Sequence, residues 1–474
     1  MVLTNTLTGR REALVPREPG HVRLYWCGVT VYSRAHVGHA RFLIVADTLV
    51  RYLRARGQRV TFVRNFTDID DKMIKRAADE KITVAALADR EIAAFTRDVT
   101  RLGCLPPTEE PRATAHIPHM IALVERLMAK GHAYAVPGGS VYFRVRSFPG
   151  YGKLSHRQLE DMETGEENDP AKEAAQDFAL WKGEKPGEPA WDTPWGRGRP
   201  GWHLECSAMS VHYLGQPFDV HGGGSDLIFP HHENELAQSE ADGGAPLSAL
   251  WVHNGMITFG ADKMSKSLGN VLSIAEVTER APGEALRLLY FGAHYRGPLE
   301  FTPQRLDEAT RSLERLYEAL ARADELLGPT APPALDGALA TPDSPFLESF
   351  CTAMDEDLNA ATALGFVFDR MRELNRAIDA GDRTTAGAAR SDLRRAGTAL
   401  GLFAETPAAF LDAARRRGQQ RTGLTDAEIE AAIAEREAAR KRKDFRAADA
   451  VRERLRERGI LLEDTPSGTL WKAV

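Results

Sequence analysis

From Leu24 to Val31 the chain is an apolar, β-branched run, the pattern of a buried strand. After His36 the period changes. Phe42, Leu43, Val45, Leu49, Val50 and Leu53 recur at helical spacing, with Arg41, Arg51, Arg54 and Arg56 on the other side. Gly57 is placed to end that helix, and Arg59–Thr67 returns to a strand-like run. Strand, loop, helix and strand in that order make a unit of a parallel sheet.

Polar residues Asn65–Lys72 (NFTDIDDK) follow at the carboxyl end of the second strand, where ligands of open α/β sheets bind. Helical segments run on to Leu102 and are broken by Pro106-Pro107. Between Glu109 and Pro200 the texture changes. One helix (His119–Lys130) and short strands such as Val141–Val145 precede a loop-rich stretch, read as an insertion between two halves of the sheet. The sheet is expected to resume at Gly201–Cys206, with strands at Phe218–His221 and Trp251–Phe259. From Pro303 helical periodicity dominates, over 303–326, 346–380 and 384–402, with linkers near 328–345 and 404–422. The last segment opens on a capping box, Thr425 with Glu428, carries a basic stretch from Arg436 to Arg458, and ends in short strand-like pieces.

The pattern predicts an α/β protein: a Rossmann-type parallel-sheet domain with an insertion, an α-helical bundle, and a small C-terminal mixed α/β domain. The expected divisions are 1–108 and 201–250 for the two halves of the sheet domain and 109–200 for the insertion. A connecting region at 251–302, the bundle at 303–403 and the last domain at 423–474 complete the set.

Composition changes this picture little. A chain of 474 residues with 43% hydrophobic and 27% charged residues is ordinary for a soluble multi-domain protein. Four scattered cysteines make no disulfide framework, and no apolar run is long enough for a bilayer. Both features predict a cytoplasmic protein without membrane contact, and nothing in the pattern demands a second copy, so a monomer is expected. The net charge of −6 argues against indiscriminate nucleic-acid binding but leaves room for a local basic face.

Three groups of residues carry candidate chemistry. His36-Val-Gly-His39 stands where a strand gives way to a helix, so free backbone N–H groups and the positive helix end are offered to phosphate. Gly38 allows close approach, and His36 and His39 can reach one anion. Lys263-Met-Ser-Lys-Ser267 offers two ammonium groups and two hydroxyls to a polyphosphate. Cys27, Cys206 and the run Pro230-His-His-Glu-Asn-Glu235 supply thiolates, imidazoles and a carboxylate suited to tetrahedral zinc. His231 and Glu235, four apart, share a helix face; spacing alone leaves His232 open as well. Cys104 and Cys351 are assigned to packing.

With these motifs assembled, the sequence resembles the class I aminoacyl-tRNA synthetases, whose two signatures match HVGH and KMSKS. More narrowly it resembles the cysteinyl-tRNA synthetases. The match runs through CGVTVYSRAHVGHAR, NFTDIDDK, PGWHLECSAM, HGGGSDLIFPHHENELAQS, DKMSKSLGN, HYRGPLEF, MDEDLNAATAL and LEDTPSGTLWK, essentially the whole chain. Val29 and Ser33-Arg34 depart from the family pattern, in the first loop only. The resemblance implies a zinc ion held by Cys27, Cys206, His231 and Glu235. It implies ATP, with Mg2+, contacted by His36, Gly38, His39, Lys263 and Lys266, with Gly222, Gly224 and Asp226 under the adenosine. Gly28, Thr67 and Trp202 would line a pocket for L-cysteine. The bundle and the C-terminal domain would bind tRNA(Cys).

Zinc would answer a chemical problem, because cysteine and serine are near-isosteres that a pocket of ordinary contacts separates poorly. The implied reaction is attack of the cysteine carboxylate on ATP, releasing pyrophosphate, then transfer of the cysteinyl group to the tRNA 3′ end with release of AMP. In the last domain Phe445 and Trp471 are candidates for stacking on loop bases. Two rival readings weigh less. A cysteine ligase acting on an amino-sugar would not need the basic C-terminal domain, and a non-catalytic RNA-binding protein would need neither HVGH nor KMSKS.

Overall fold

Four parallel strands form the central sheet of the computed structural model, which describes residues 1–159, 169–259, 262–263, 272–465 and 468–473. In chain order the core elements are β1 (His21–Thr30), α1 (Val37–Ala55), β2 (Arg59–Thr67), α2 (Trp202–Leu214), β3 (Phe218–Gly224), α3 (Glu233–Gly243) and β4 (Ser248–Asn254). The spatial order is β4-β3-β1-β2. The chain moves outward from β1 to β2 on one side and from β3 to β4 on the other. The direction reverses between β1 and β3, and the crevice at their carboxyl ends is where such sheets bind ligands.

Strand alternation explains the two-sided burial. Leu24 and Trp26 of β1 pack with Leu43, Ile44 and Leu49 of α1, while Tyr25 and Cys27 face the layer that holds Leu204, Cys206 and Met209 of α2. The β1–β2 register shifts between Trp26 and Val29, a bulge at Cys27-Gly28. Gly28 is required there, since an added Cβ would lie 1.7 Å from the Asn65 carbonyl oxygen.

Four expectations are corrected. Gly201–Cys206 does not resume the sheet but opens α2. That helix is buried along His203–Ser210, and a helix buried on nearly all sides loses the polar stripe that gives it away. The 346–380 pattern is two helices, Pro345–Asp355 and Ala360–Asp379. They are separated where Asp357 and Leu358 take positive φ (58° and 50°). The Asp357 carboxylate accepts from the backbone N–H (2.8 Å) and hydroxyl (2.6 Å) of Thr4 and from the Tyr295 hydroxyl (2.9 Å), which offsets the cost of the turn. The supposed linker at 404–422 is largely a helix, Pro407–Thr422, capped by Thr406 and held by Phe410 stacked on Tyr317 at 3.7 Å. Trp251–Phe259 is likewise split, into β4 and Ile257–Phe259.

The insertion carries a five-stranded antiparallel sheet. Where the sheet domain meets the bundle, the buried Arg287 guanidinium donates to Asp47 (2.6 Å) and to the carbonyls of Leu102 and Leu400. Asp47 also accepts from Arg51 (2.8 Å) and the Leu105 N–H (2.6 Å). The C-terminal unit packs helices Asp426–Lys441 and Phe445–Glu457 against a hairpin of Ile460–Thr465 with Gly468–Ala473. Its first helix has the expected capping box, Thr425 with Glu428. Within its basic stretch Arg436 and Arg440 both bind Asp464 of the hairpin. Phe445 is exposed, whereas Trp471 packs against the small core with Arg415 over its ring. Among the described residues no helix is long and apolar enough to cross a membrane.

Candidate active site

Cys27 reaches the crevice from the bulge of β1, Cys206 from α2, His231 from the turn before α3, and Glu235 from its first turn. Their ligand atoms lie within 4.8 Å of one another and all four residues are buried. The Cys27 thiol lies 3.6 Å from Cys206 Sγ and 3.3 Å from Glu235 Oε1, and His231 Nε2 is 2.9 Å from that same oxygen. A second, overlapping group comprises Cys27, His221, His232 and Glu235. The two groups are not equivalent. His221 Nε2 is bonded to the other carboxylate oxygen of Glu235 (2.8 Å), and His232 Nε2 is 3.9 Å from Glu235 Oε1. His231 meanwhile turns its Nδ1 to His203 (3.0 Å), leaving Nε2 as the ligand atom. Two sulfurs, a nitrogen and an oxygen, buried and mutually close, fit tetrahedral zinc.

Around the turn into α1, His36 is the N-cap and its Nδ1 accepts from the Gly38 N–H (3.1 Å), while His39 Nδ1 accepts from the His36 N–H (3.1 Å). The rings stack at 3.7 Å. With each Nδ1 accepting, the proton of a neutral ring sits on Nε2, so both imidazoles present an N–H donor. The chain just beyond KMSKS is fastened here: Val37 N–H donates to the Leu272 carbonyl and Ile274 N–H to that of Ala35, both at 3.0 Å. Lys263 ends a short strand, and Lys266 lies outside the described residues. Gly222 and Gly224 end β3, and Asp226 sits in the turn that follows. An added Cβ at Gly222 would meet the Trp26 ring at 2.3 Å.

Residues 13–311 match the model of the class I (C) tRNA synthetase catalytic domain, 349–404 the DALR domain, and 422–471 the cysteinyl-tRNA ligase anticodon binding domain. The chain is 51% identical to the cysteine–tRNA ligase of Geobacter sulfurreducens, over 99% of this chain and 98% of the relative. It is 50% identical to that of Halorhodospira halophila, over the same shares. The chain belongs to the cysteinyl-tRNA synthetase family. In fold it is similar to the methionyl-tRNA synthetase of Mycobacterium tuberculosis solved with methionyl-adenylate (TM-score 0.61, 16% identity, 87% of this chain and 96% of that one). It is also similar to the Agrobacterium radiobacter LeuRS of a ternary complex with tRNA (TM-score 0.58, 12% identity, 84% and 87%).

Electrostatics distinguish this group of residues from ordinary core. Burial resists ionisation of Cys206, yet the Cys27 thiol donating to it and the His231 imidazole draw it down to about 6. Burial and the contact with Cys206 push the Cys27 thiol well up. Burial works against a charged His231, but the Glu235 carboxylate raises it to about 10; His231 and His221 in turn hold Glu235 well below the usual carboxylate range despite its burial. Burial keeps His203 and His232 neutral and takes His253 down to about 3.

Of the expected substrate residues, Thr67 ends β2 and donates to Glu205 (2.7 Å), and the Gly28 N–H donates to Asn65 Oδ1 (2.9 Å). Trp202 is 37% exposed and stacks on His231 at 4.2 Å, on the rim of the pocket. Sequence reading missed the shell of imidazoles. His203, His221 and His253 surround the quartet, and His253 holds His232 at 2.7 Å. His221 and His253 stand near the carboxyl ends of parallel strands, the one signal that marks them.

Proposed function

We propose that this chain activates L-cysteine with ATP and transfers it to the 3′ end of tRNA(Cys), with Cys27, Cys206, His231 and Glu235 holding a zinc ion that sorts cysteine from serine. The single observation that carries the reading is the buried group of two thiols, an imidazole and a carboxylate at the sheet's switch point, in the same crevice region as the HVGH turn. Bound zinc would supply a soft site that takes a substrate thiolate in preference to a hydroxyl.

The chain's own residues do the rest. His221 and His203 fix the outer oxygen of Glu235 and the Nδ1 of His231, the orienting role that outer partners play at metal sites. The N–H donors of His36 and His39, at a helix N-terminus, meet phosphate, and Lys263 and Lys266 neutralise the departing pyrophosphate. No general base is needed for activation, because the attacking carboxylate is already ionised at neutral pH. Thr67, Gly28 and Trp202 line the amino-acid pocket; Gly222, Gly224 and Asp226 lie under the adenosine. Residues 303–403 then meet the tRNA body and 423–474 the anticodon, with Phe445 the exposed aromatic for base stacking.

The test is charging of tRNA(Cys) with cysteine, with serine as competitor and metal supplied or chelated. Zinc-dependent charging by cysteine alone is expected. Pyrophosphate exchange without a tRNA product would overturn the second step, and charging unaffected by complete removal of metal would overturn the role given to zinc.

A further inference from the structure

Glu205 is wholly buried, and one of its carboxylate oxygens has no hydrogen-bond partner. Buried carboxylates are costly unless answered, and a half-answered one in a native fold calls for an explanation. Its other oxygen accepts from the Thr67 hydroxyl at 2.7 Å. That bond belongs to a pattern. Asn65 and Thr67 are two apart on β2 and so present their side chains on one face. Cys206 lies over Asn65 (Sγ to Oδ1, 3.7 Å), and Glu205, one residue earlier on α2, lies over Thr67. The same helix therefore delivers a sulfur to the metal group and a carboxylate to the neighbouring hydroxyl.

We propose that Glu205 is a positioning residue for amino-acid binding: by taking the Thr67 proton into a hydrogen bond, it turns the hydroxyl lone pairs toward the pocket, where they accept from the substrate α-ammonium. This rests on the reading of Thr67 as a pocket residue. A hydroxyl has one proton and two lone pairs, and its rotor follows whichever acceptor is nearest. A lone threonine at the end of a strand would be free to donate or accept. With Glu205 behind it, Thr67 is committed to accepting, which favours a cationic amine over a neutral or anionic group.

The experiment measures cysteine-dependent pyrophosphate exchange by the full chain loaded with zinc, together with zinc content and the KM for ATP. Thr67→Val is expected to raise the KM for cysteine about tenfold, the lower end for a hydrogen bond to a charged group. Glu205→Ala should raise the same KM by a similar factor, with kcat, the KM for ATP and bound zinc little moved. The double variant should be no worse than either single one, because both remove one interaction. Glu205→Gln, whose amide oxygen can still accept from Thr67, should recover most of the affinity lost in Glu205→Ala. If Glu205→Ala fails to fold, Glu205→Asp, one methylene shorter, tests the same bond. An unchanged KM in Thr67→Val would overturn the pocket reading and the proposal with it. A normal Thr67→Val effect with additive losses in the double variant, or no rescue by glutamine, would overturn the proposal alone.

Discussion

Around Arg287 and around Glu235 the chain buries charge equally deeply, but the charge is answered differently. At the junction, the guanidinium of Arg287 faces Asp47 and two carbonyls, and both oxygens of Asp47 are taken. Nothing polar on either side chain is left over. Near the candidate metal group, by contrast, Glu205 Oε1 and His221 Nδ1 are buried without a partner, and two thiols crowd a carboxylate. Complete compensation marks a place built to hold the fold together. The incompletely compensated groups named here stand around the candidate metal ligands, as expected where function rather than stability sets the arrangement.

Breaking the two places should therefore have opposite signatures. Cys206→Ala should cost cysteine activation more than about 100-fold, beyond the usual loss for an outer partner of a metal. Bound zinc should fall with it, while the denaturant midpoint of the sheet domain stays close to wild type; exchange kinetics, metal analysis and urea titration would check all three. Arg287→Met takes from Asp47 one of its two guanidinium partners and from the Leu102 and Leu400 carbonyls a buried donor, and should cost about 1–3 kcal/mol of stability in denaturant titration while the folded fraction keeps its kcat/KM. His221→Ala, which frees the outer oxygen of Glu235, should weaken zinc binding by about 10–100-fold, read by competition with a chelator. If it destabilised the fold as Arg287→Met does, the contrast between the two regions would collapse.

The C-terminal unit offers an intermediate case, since Arg436 is buried but its partner Asp464 is in contact with water. Hydrogen bonding to Arg436 holds the Asp464 carboxyl below its usual value. A depressed folded value means that the stabilisation is present above the unfolded pKa of about 4 and is lost as pH falls below it. Thermal unfolding followed at decreasing pH should show the 423–474 unit weakening in that window, and Asp464→Asn should reduce the dependence, leaving the part due to Glu428 and Glu453. The smallest effect belongs to the cap: Thr425→Ala should cost about 1 kcal/mol, measurable as a shift in the melting of that unit.

The parts of this design that repeat along the chain could be read from it. The β1-α1-β2 unit announced itself because the period of its apolar residues changes from strand to helix within a few positions. The four residues that meet at the candidate metal group stood out as a chemical set, although spacing left His231 and His232 both open; the resemblance implied His231, and in the structure it is the one closer to Glu235 Oε1. What stayed hidden was hidden for physical reasons. A helix buried on nearly all sides, α2, has no polar stripe to show its period, and the 407–422 helix owes its stability to a tertiary contact between Phe410 and Tyr317. Glu205 is legible to no local rule at all, since its significance lies in a strand more than a hundred residues earlier.

The contact between Thr4 and Asp357 has a consequence for how the molecule is made. The two residues are 353 positions apart, and Val2 and Glu356 form a bridge beside them. At translation rates of roughly 5–20 residues per second, Thr4 waits about 20–70 s for its partner to be synthesised. Until then the strand Val2–Asn5, paired with Arg10–Ala13, lacks its bridge to Glu356, and the sheet domain that follows it must keep its shape, or be kept from sticking to others, without that closing bond. Ribosome-bound chains stopped just before and just after Asp357 has emerged should differ in how readily a protease removes their first residues.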